Sequence, residues 1–269
     1  NGWSTPLTLD STDNVGYESS LAIDSNDNLH VTYYDWSNGN LEYMNYDGAS
    51  NGWSTPLTLD STYSVGHDSS LAIDSNDNLH VTYYDWSNGN LEYMNYNGGA
   101  SNGWSTPLTL DSTDNVGYHS SLAIDSSDHL HVTYLDATNG NLEYMNYDGA
   151  SNGWSTPVSL DIWYDVGRLS SLAIDSSDHL HVTYYHATNG NLEYMNYDGA
   201  SNGWSTPVSL DNSATDNSSQ IGKWPSLAID SSDNLHVTYL DETNGDLRYG
   251  EFATSGNGID SDGDGIDDS

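Results

Sequence analysis

The segment Trp-Ser-Thr-Pro begins at Trp3, Trp53, Trp104, Trp154 and Trp204, and Ser-Leu-Ala-Ile-Asp begins at Ser20, Ser70, Ser121, Ser171 and Ser226. The 269-residue chain is therefore five copies of one unit of about fifty residues. A repeat of this kind cannot bury its apolar face alone and is stabilised by stacking on its neighbours. No helical period or helix cap separates the markers.

Within the first copy, turn residues divide four strand signals. They are Ser20–Asp24, then Leu29–Tyr34 with Leu29, Val31 and Tyr33 alternating against His30, Thr32 and Tyr34, then Asn40–Tyr46, then Trp53–Leu59. Four short strands per unit at this period is the pattern of a propeller blade. The expected fold is all-β: a five-bladed β-propeller with four antiparallel strands per blade, spanning residues 1–254. The small apolar Ser-Leu-Ala-Ile strand suits the crowded axis. The Trp-Ser-Thr-Pro strand carries Pro6, Pro56, Pro107, Pro157 and Pro207. Proline cannot donate to a ladder, so this strand is expected at the outer edge. The chain opens on an outer strand, Trp3–Leu9, and its repeats finish on a third strand, Asp246–Phe252. The N-terminal strand is thus expected to complete the last blade and close the ring. An open solenoid would leave both edges unpaired.

The run Ser-Leu-Ala-Ile-Asp-Ser-Asn-Asp-Asn-Leu-His-Val-Thr-Tyr-Tyr-Asp from Ser20, with Asn-Gly-Asn-Leu-Glu-Tyr from Asn38, resembles propeller repeats of secreted bacterial and archaeal proteins. These are loosely related to the sialidase and lectin propellers. The resemblance implies a propeller over residues 1 to about 252 and an extracellular or cell-surface setting. It departs from the sialidase Asp-box, since Ser25-Asn26-Asp27-Asn28-Leu29 lacks the glycine, and no arginine triad can form.

Charge narrows the partners. With 40 acidic and 3 basic residues the net charge is −37. Such a surface repels nucleic acid and anionic lipid. No apolar run reaches membrane-spanning length. There are no cysteines, so neither disulfides nor thiolate metal sites contribute. The opening residue, Asn1, reads as the start of a processed or excised segment, and the chain as part of a larger surface protein.

Differences among the copies locate the candidate site. His30, His80, His131, His181 and His236 never change and are expected to be hydrogen-bonded packing residues. The Asp24–Asn28 turn and its copies are expected to close on local amides and not on a cation. Variation collects in two loops that leave each blade on one side. One holds Tyr17-Glu18, His67-Asp68, Tyr118-His119, Arg168-Leu169 and Lys223-Trp224, and the other holds Trp36, Trp86, Ala137, Ala187 and Glu242. Function is expected on loops held by a rigid scaffold. Tyr17, His67, Tyr118, Arg168, Lys223, Trp36, Trp86 and Trp224 are the candidate ligand-binding residues. Aromatic faces with a few polar groups suit a carbohydrate or another surface polymer. A binding module is the expected function; a glycoside hydrolase using Glu18 and Asp68, or a structural spacer, are the alternatives.

Beyond the repeats, residues 255–269 form an acidic tail. Its D-x-D-x-D-G-x-x-D pattern resembles the start of an EF-hand loop and, more closely, a thrombospondin type 3 repeat. By that resemblance Asp260, Asp262, Asp264 and Asp268 offer carboxylates to Ca²⁺ and Ile266 a carbonyl.

Overall fold

A computed structural model describes residues 2, 4–48, 52–98, 103–149, 153–163, 165–199, 203–211 and 220–252. The acidic tail and its five proposed calcium ligands lie outside the described residues. Each repeat folds as one antiparallel meander. The first sheet holds β1 (Tyr17–Ile23), β2 (Leu29–Asp35), β3 (Asn40–Asp47), β4 (Gly52–Trp53) and β5 (Leu57–Asp60). The second holds β6 (Val65–Ile73), β7 (Leu79–Asp85), β8 (Asn90–Tyr96) and β9 (Leu108–Asp111). The third holds β10 (Val116–Ile124), β11 (Leu130–Asp136), β12 (Asn141–Tyr147) and β13 (Val158–Asp161). The fourth holds β14 (Arg168–Ile174), β15 (Leu180–His186), β16 (Asn191–Tyr197) and β17 (Val208–Asp211). The fifth holds β18 (Ile221–Ile229), β19 (Leu235–Asp241) and β20 (Asp246–Phe252).

The proline-bearing strand is outermost in the first four sheets, and it is split. Its first part touches the third strand through Trp53, Trp104, Trp154 and Trp204, and its second part resumes one residue after the proline. The missing proline N–H breaks the ladder there. The first strand is longer than its sequence signal. It begins upstream of the Ser-Leu-Ala-Ile run and crosses a bulge, with register shifts between His67 and Ser70 and at the matching places.

Each sheet packs its first strand over the face of the one before it: β6 on β1, β10 on β6, β14 on β10 and β18 on β14. The apolar clusters fill these junctions. Leu71 sits at 7% exposure in the first of them. Burying a leucine fully is worth about 1.5–3 kcal/mol. Polar side chains stitch the same junctions. Ser20, Ser70, Ser121 and Ser171 Oγ accept the amides of Leu71, Leu122, Leu172 and Leu227 at 3.0 Å. Thr32, Thr82 and Thr133 Oγ1 meet Ser69, Ser120 and Ser170 Oγ at 3.0 Å. At the fourth junction the serine is replaced by Pro225, and the buried Thr183 hydroxyl has no partner among the described residues.

The closing strand differs from expectation. Trp3 lies outside the described residues, Ser4–Leu9 carry no strand, and the fifth sheet has three strands, with β20 at its edge. The described structure contains no closed ring of sheets. The end of the N-terminal segment is instead tied to the first sheet, where Tyr33 donates its hydroxyl to Asp10 at 2.8 Å.

Candidate functional site

The two variable loops meet at the end of each sheet where the first strand begins and the second ends. In β1–β2 the pairing Tyr17 with Tyr34 brings them together, and in β6–β7 the pairing His67 with Tyr84 does so. Trp36 and Trp86 follow directly after β2 and β7. Their amides donate to Asn14 and Ser64 carbonyls at 3.0 Å, which fixes the turn that carries each indole. Asp35 and Asp85 brace the same turns, accepting the amides of Ser37, Asn38, Ser87 and Asn88.

These placements produce one continuous aromatic ribbon across the first three sheets. Tyr17 lies 5.8 Å from Trp36, ring centre to ring centre. Trp36 meets His67 edge-on at 6.3 Å, and His67 lies 5.7 Å from Trp86. Trp86 then meets Tyr118 at 6.0 Å. Beneath the indoles, Tyr34 lies against His67 at 3.7 Å and Tyr84 against Tyr118 at 3.9 Å. Trp36 and Trp86 are 59% and 58% exposed, while Tyr34, Tyr84 and His67 are buried. Two open indoles thus stand on a rigid aromatic floor and bracket His67. Burial, the Tyr118 hydrogen bond and nearby carboxylates push the Tyr84 phenol far above its ordinary range, so it stays protonated. Its hydroxyl donates to Asn115 at 2.6 Å.

Two carboxylates adjoin the ribbon. Glu18 Oε2 accepts the Asp68 amide at 2.9 Å and lies 3.3 Å from His67 Nδ1. Asp68 in turn accepts the His119 amide at 3.0 Å and lies 3.3 Å from His119 Nδ1. Burial alone would raise the Asp68 carboxyl, but hydrogen bonds and charge from His119 outweigh it and hold Asp68 below the usual carboxylate range. Glu18, Asp68, His119, Leu169 and Trp224 share one repeat position, and all have left-handed φ, between 48° and 57°. The strand-start bulge imposes this backbone, which non-glycine residues adopt at a cost of about 1–3 kcal/mol.

The cations do not join the ribbon. Arg168 Nε donates to Asp165 at 2.6 Å. Lys223 Nζ contacts Glu242, donates to Gln220 at 2.5 Å and lies 5.6 Å over the Tyr185 ring. Arg248 stands where the other copies have glutamate and bridges Asp211 at 2.9 Å and Asp241 at 2.5 Å. Of the eight residues singled out in sequence, Tyr17, Trp36, His67, Trp86 and Tyr118 come together; Arg168, Lys223 and the exposed Trp224 sit on the fourth and fifth sheets. Sequence reasoning missed Tyr34 and Tyr84. Their exchange for Leu135 and Leu240 in other copies is the signal that marks them.

The invariant histidines are tied down. Each Nδ1 lies 2.7 Å from a tyrosine hydroxyl on the third strand, as His131 does from Tyr144, and each Nε2 faces the turn aspartate, as His131 faces Asp125 at 3.4 Å. Burial pulls His80, His131 and His181 below the ordinary imidazole range despite those aspartates. The turn aspartates close on local amides: Asp24 Oδ1 accepts those of Asn26 and Asn28. No cluster of three or more metal-binding side chains occurs among the described residues, and no helix is long and apolar enough to cross a membrane.

No protein-family model matches the chain, and no curated protein matches it in sequence. Solved structures do. The fungal lectin of Aleuria aurantia, a six-bladed β-propeller with a fucose recognition mode, superposes with a TM-score of 0.60 at 16% identity, covering 88% of this chain and 75% of the lectin. An ulvan lyase, a polysaccharide lyase, gives a TM-score of 0.60 at 13% identity over 95% of this chain and 71% of its own. A sialidase from Streptococcus pneumoniae gives 0.56 at 11% identity over 91% and 62%. At these identities the likeness establishes the fold: the chain is built as a β-propeller, from repeated antiparallel sheets.

Proposed function

We propose that this chain is an extracellular carbohydrate-binding module, lectin-like or adhesive, that presents Trp36 and Trp86 as stacking platforms for a glycan. The observation that carries this is the pair of open indoles flanking His67 on a buried aromatic floor. Rigid aromatic faces with a few fixed polar groups are the usual lining of a ligand site. Tyr17 and Tyr118 extend the platform, and Glu18 and Asp68 offer acceptors to sugar hydroxyls. The ligand is a neutral or amino-bearing glycan. Arg168 and Lys223 are each matched by a carboxylate, and the net charge of −37 disfavours an anionic chain. Fold neighbours that recognise fucose or act on polysaccharides point the same way. Hydrolysis by Glu18 and Asp68 is less well supported, because Asp68 is held ionised and both carboxylates cap backbone amides of the next sheet.

The scaffold we propose is a five-bladed ring whose last blade takes the N-terminal strand. The tail is a calcium site formed by Asp260, Asp262, Asp264, Ile266 and Asp268, at the junction to further parts of a surface protein. A glycan array at low salt tests the main reading: binding concentrated on neutral glycans, with fucosylated ones as the first probes, is expected. An array without binders would overturn it.

A further inference from the structure

We infer that the ribbon binds the interior of a linear, neutral glycan chain laid across the first two sheets, and not a single terminal sugar. The inference rests on the glycan-binding reading above and specifies the class of ligand.

The ribbon is one structural unit used twice. In its first use Trp36 stands edge-on to Tyr34 at 6.0 Å, Tyr34 packs against His67 at 3.7 Å, and Trp36 meets His67 at 6.3 Å. In its second use Trp86 stands edge-on to Tyr84 at 6.1 Å, Tyr84 packs against Tyr118 at 3.9 Å, and Trp86 meets Tyr118 at 6.0 Å. The polar groups repeat with the rings. Glu18 lies 3.3 Å from His67 Nδ1 and accepts the Asp68 amide. Asp68 lies 3.3 Å from His119 Nδ1 and accepts the His119 amide. The exchanges between the two uses, His67 for Tyr118 and Glu18 for Asp68, keep a flat ring and a carboxylate. A ligand that fits the first unit therefore meets the same surface again one sheet further on. A terminal sugar uses one unit; a chain of like sugars uses both.

The two units are contiguous. His67 closes the first and lies 5.7 Å from Trp86, the indole of the second. The steps of 6.3 Å and 5.7 Å through His67 keep the two indole centres within 12.0 Å of each other, within reach of a short oligosaccharide. Their spacing is set before any ligand arrives. The Trp36 and Trp86 amides are bonded to Asn14 and Ser64 carbonyls, and the Leu71 amide ties the second sheet to Ser20 of the first. Little ordering is left for the ligand to impose.

The unit also ends abruptly. The third copy has Leu135 and Ala137 where the floor tyrosine and the indole would stand, and the fifth has Leu240 and Glu242. The fourth keeps Tyr185 but has Ala187, with Lys223 over the ring. Only two adjacent copies carry the platform. Residues 1–167 contain no Lys or Arg, so no cation of these sheets offsets negative charge on a ligand. Once a neutral chain occupies one unit, its occupation of the other is intramolecular, which raises affinity about 10²–10⁴-fold over one unit.

Calorimetric titration with neutral β-1,3- and β-1,4-linked gluco-, manno-, xylo- and N-acetylglucosamine oligosaccharides, from the disaccharide to the hexasaccharide, tests this beside methyl fucoside as a single-sugar probe. The full chain is compared with Trp36→Ala and Trp86→Ala, whose exposed side chains can be removed without changing Tm. In at least one series affinity should rise about a hundredfold or more with length and then level off, at one chain per protein. Either variant should return the hexasaccharide to the affinity of the disaccharide and leave the disaccharide nearly unaffected. Two molecules of methyl fucoside or disaccharide per protein, with no gain from length, overturn the inference and leave the glycan-binding reading standing. So does a length effect that survives the loss of either indole, because the chain then runs off the ribbon. Failure of every linear series while an array glycan binds overturns it as well. Binding of no probe and no array glycan refutes the glycan-binding reading and the inference together.

Discussion

Thr183 offers a direct measure of what the inter-sheet stitches contribute. Thr32, Thr82, Thr133 and Thr183 are all fully buried at one repeat position. The first three meet a serine hydroxyl at 3.0 Å, and those serines pass their own protons to the carbonyls of Glu18, Asp68 and His119. Pro225 ends this relay at the fourth junction and leaves the Thr183 Oγ1 alone. A buried hydroxyl without a bond costs about 1–3 kcal/mol. Thr183→Val removes that cost at constant volume and adds a buried methyl worth about 0.8 kcal/mol. The variant should gain about 2–4 kcal/mol, which raises Tm by roughly 2–4 °C per kcal/mol in a chain of this size. Thr133→Val breaks a made bond and should lose about 1 kcal/mol. Urea and thermal unfolding of the two variants report opposite signs. A loss for Thr183→Val equal to that for Thr133→Val would refute the argument.

Other outcomes follow from the same geometry. Gly117→Ala should cost about 2–5 kcal/mol, the sum of left-handed backbone strain and a clash with Leu91 backbone, whereas Gly245→Ala, with open space around it, should cost only the strain of about 1–2 kcal/mol. Glu92 is buried, and burial together with Asp85 and Asp60 raises its carboxyl above 4.5 although Thr109 and Asn90 bond it. Its favourable contribution is present when it is protonated and is lost as pH rises through the folded-state value. Glu92→Gln should therefore stabilise the protein at pH 7 and make no difference below about pH 4.5, as pH-dependent unfolding will report. Calorimetry should find a saturable calcium site that truncation after Phe252 abolishes, while stabilisation by NaCl persists in the truncated chain. Undiminished calcium stoichiometry after truncation would exclude the tail.

Much of the scaffold was legible because the repeat displays its own rules five times. Alternation in Leu29–Tyr34 placed β2 to within one residue, and Pro56 marked the edge strand. The split of that strand and the length of the first strand were not legible. A bulge with Glu18 or Leu169 at positive φ leaves no compositional trace, since glycine would be the expected residue. The aromatic ribbon was half legible. Trp36 and Trp86 differ visibly between copies, but that His67 lies between them depends on one sheet packing over the next. The two cations drew attention by rarity, yet the acidic neighbours that match them, Asp165 and Glu242, were just as visible in sequence.

Glycan binding at the ribbon depends on the indoles. Isothermal titration calorimetry with the strongest array glycan should be run on the full chain, Trp86→Ala and Trp163→Ala. Trp163 is exposed but stands outside the ribbon. Truncating a stacking anchor typically costs about 2 kcal/mol, roughly thirtyfold in Kd. Trp86→Ala should lose at least that with an unchanged Tm, and Trp163→Ala should bind as the parent does. Equal affinity for all three proteins would contradict the claim that the ribbon is the glycan site.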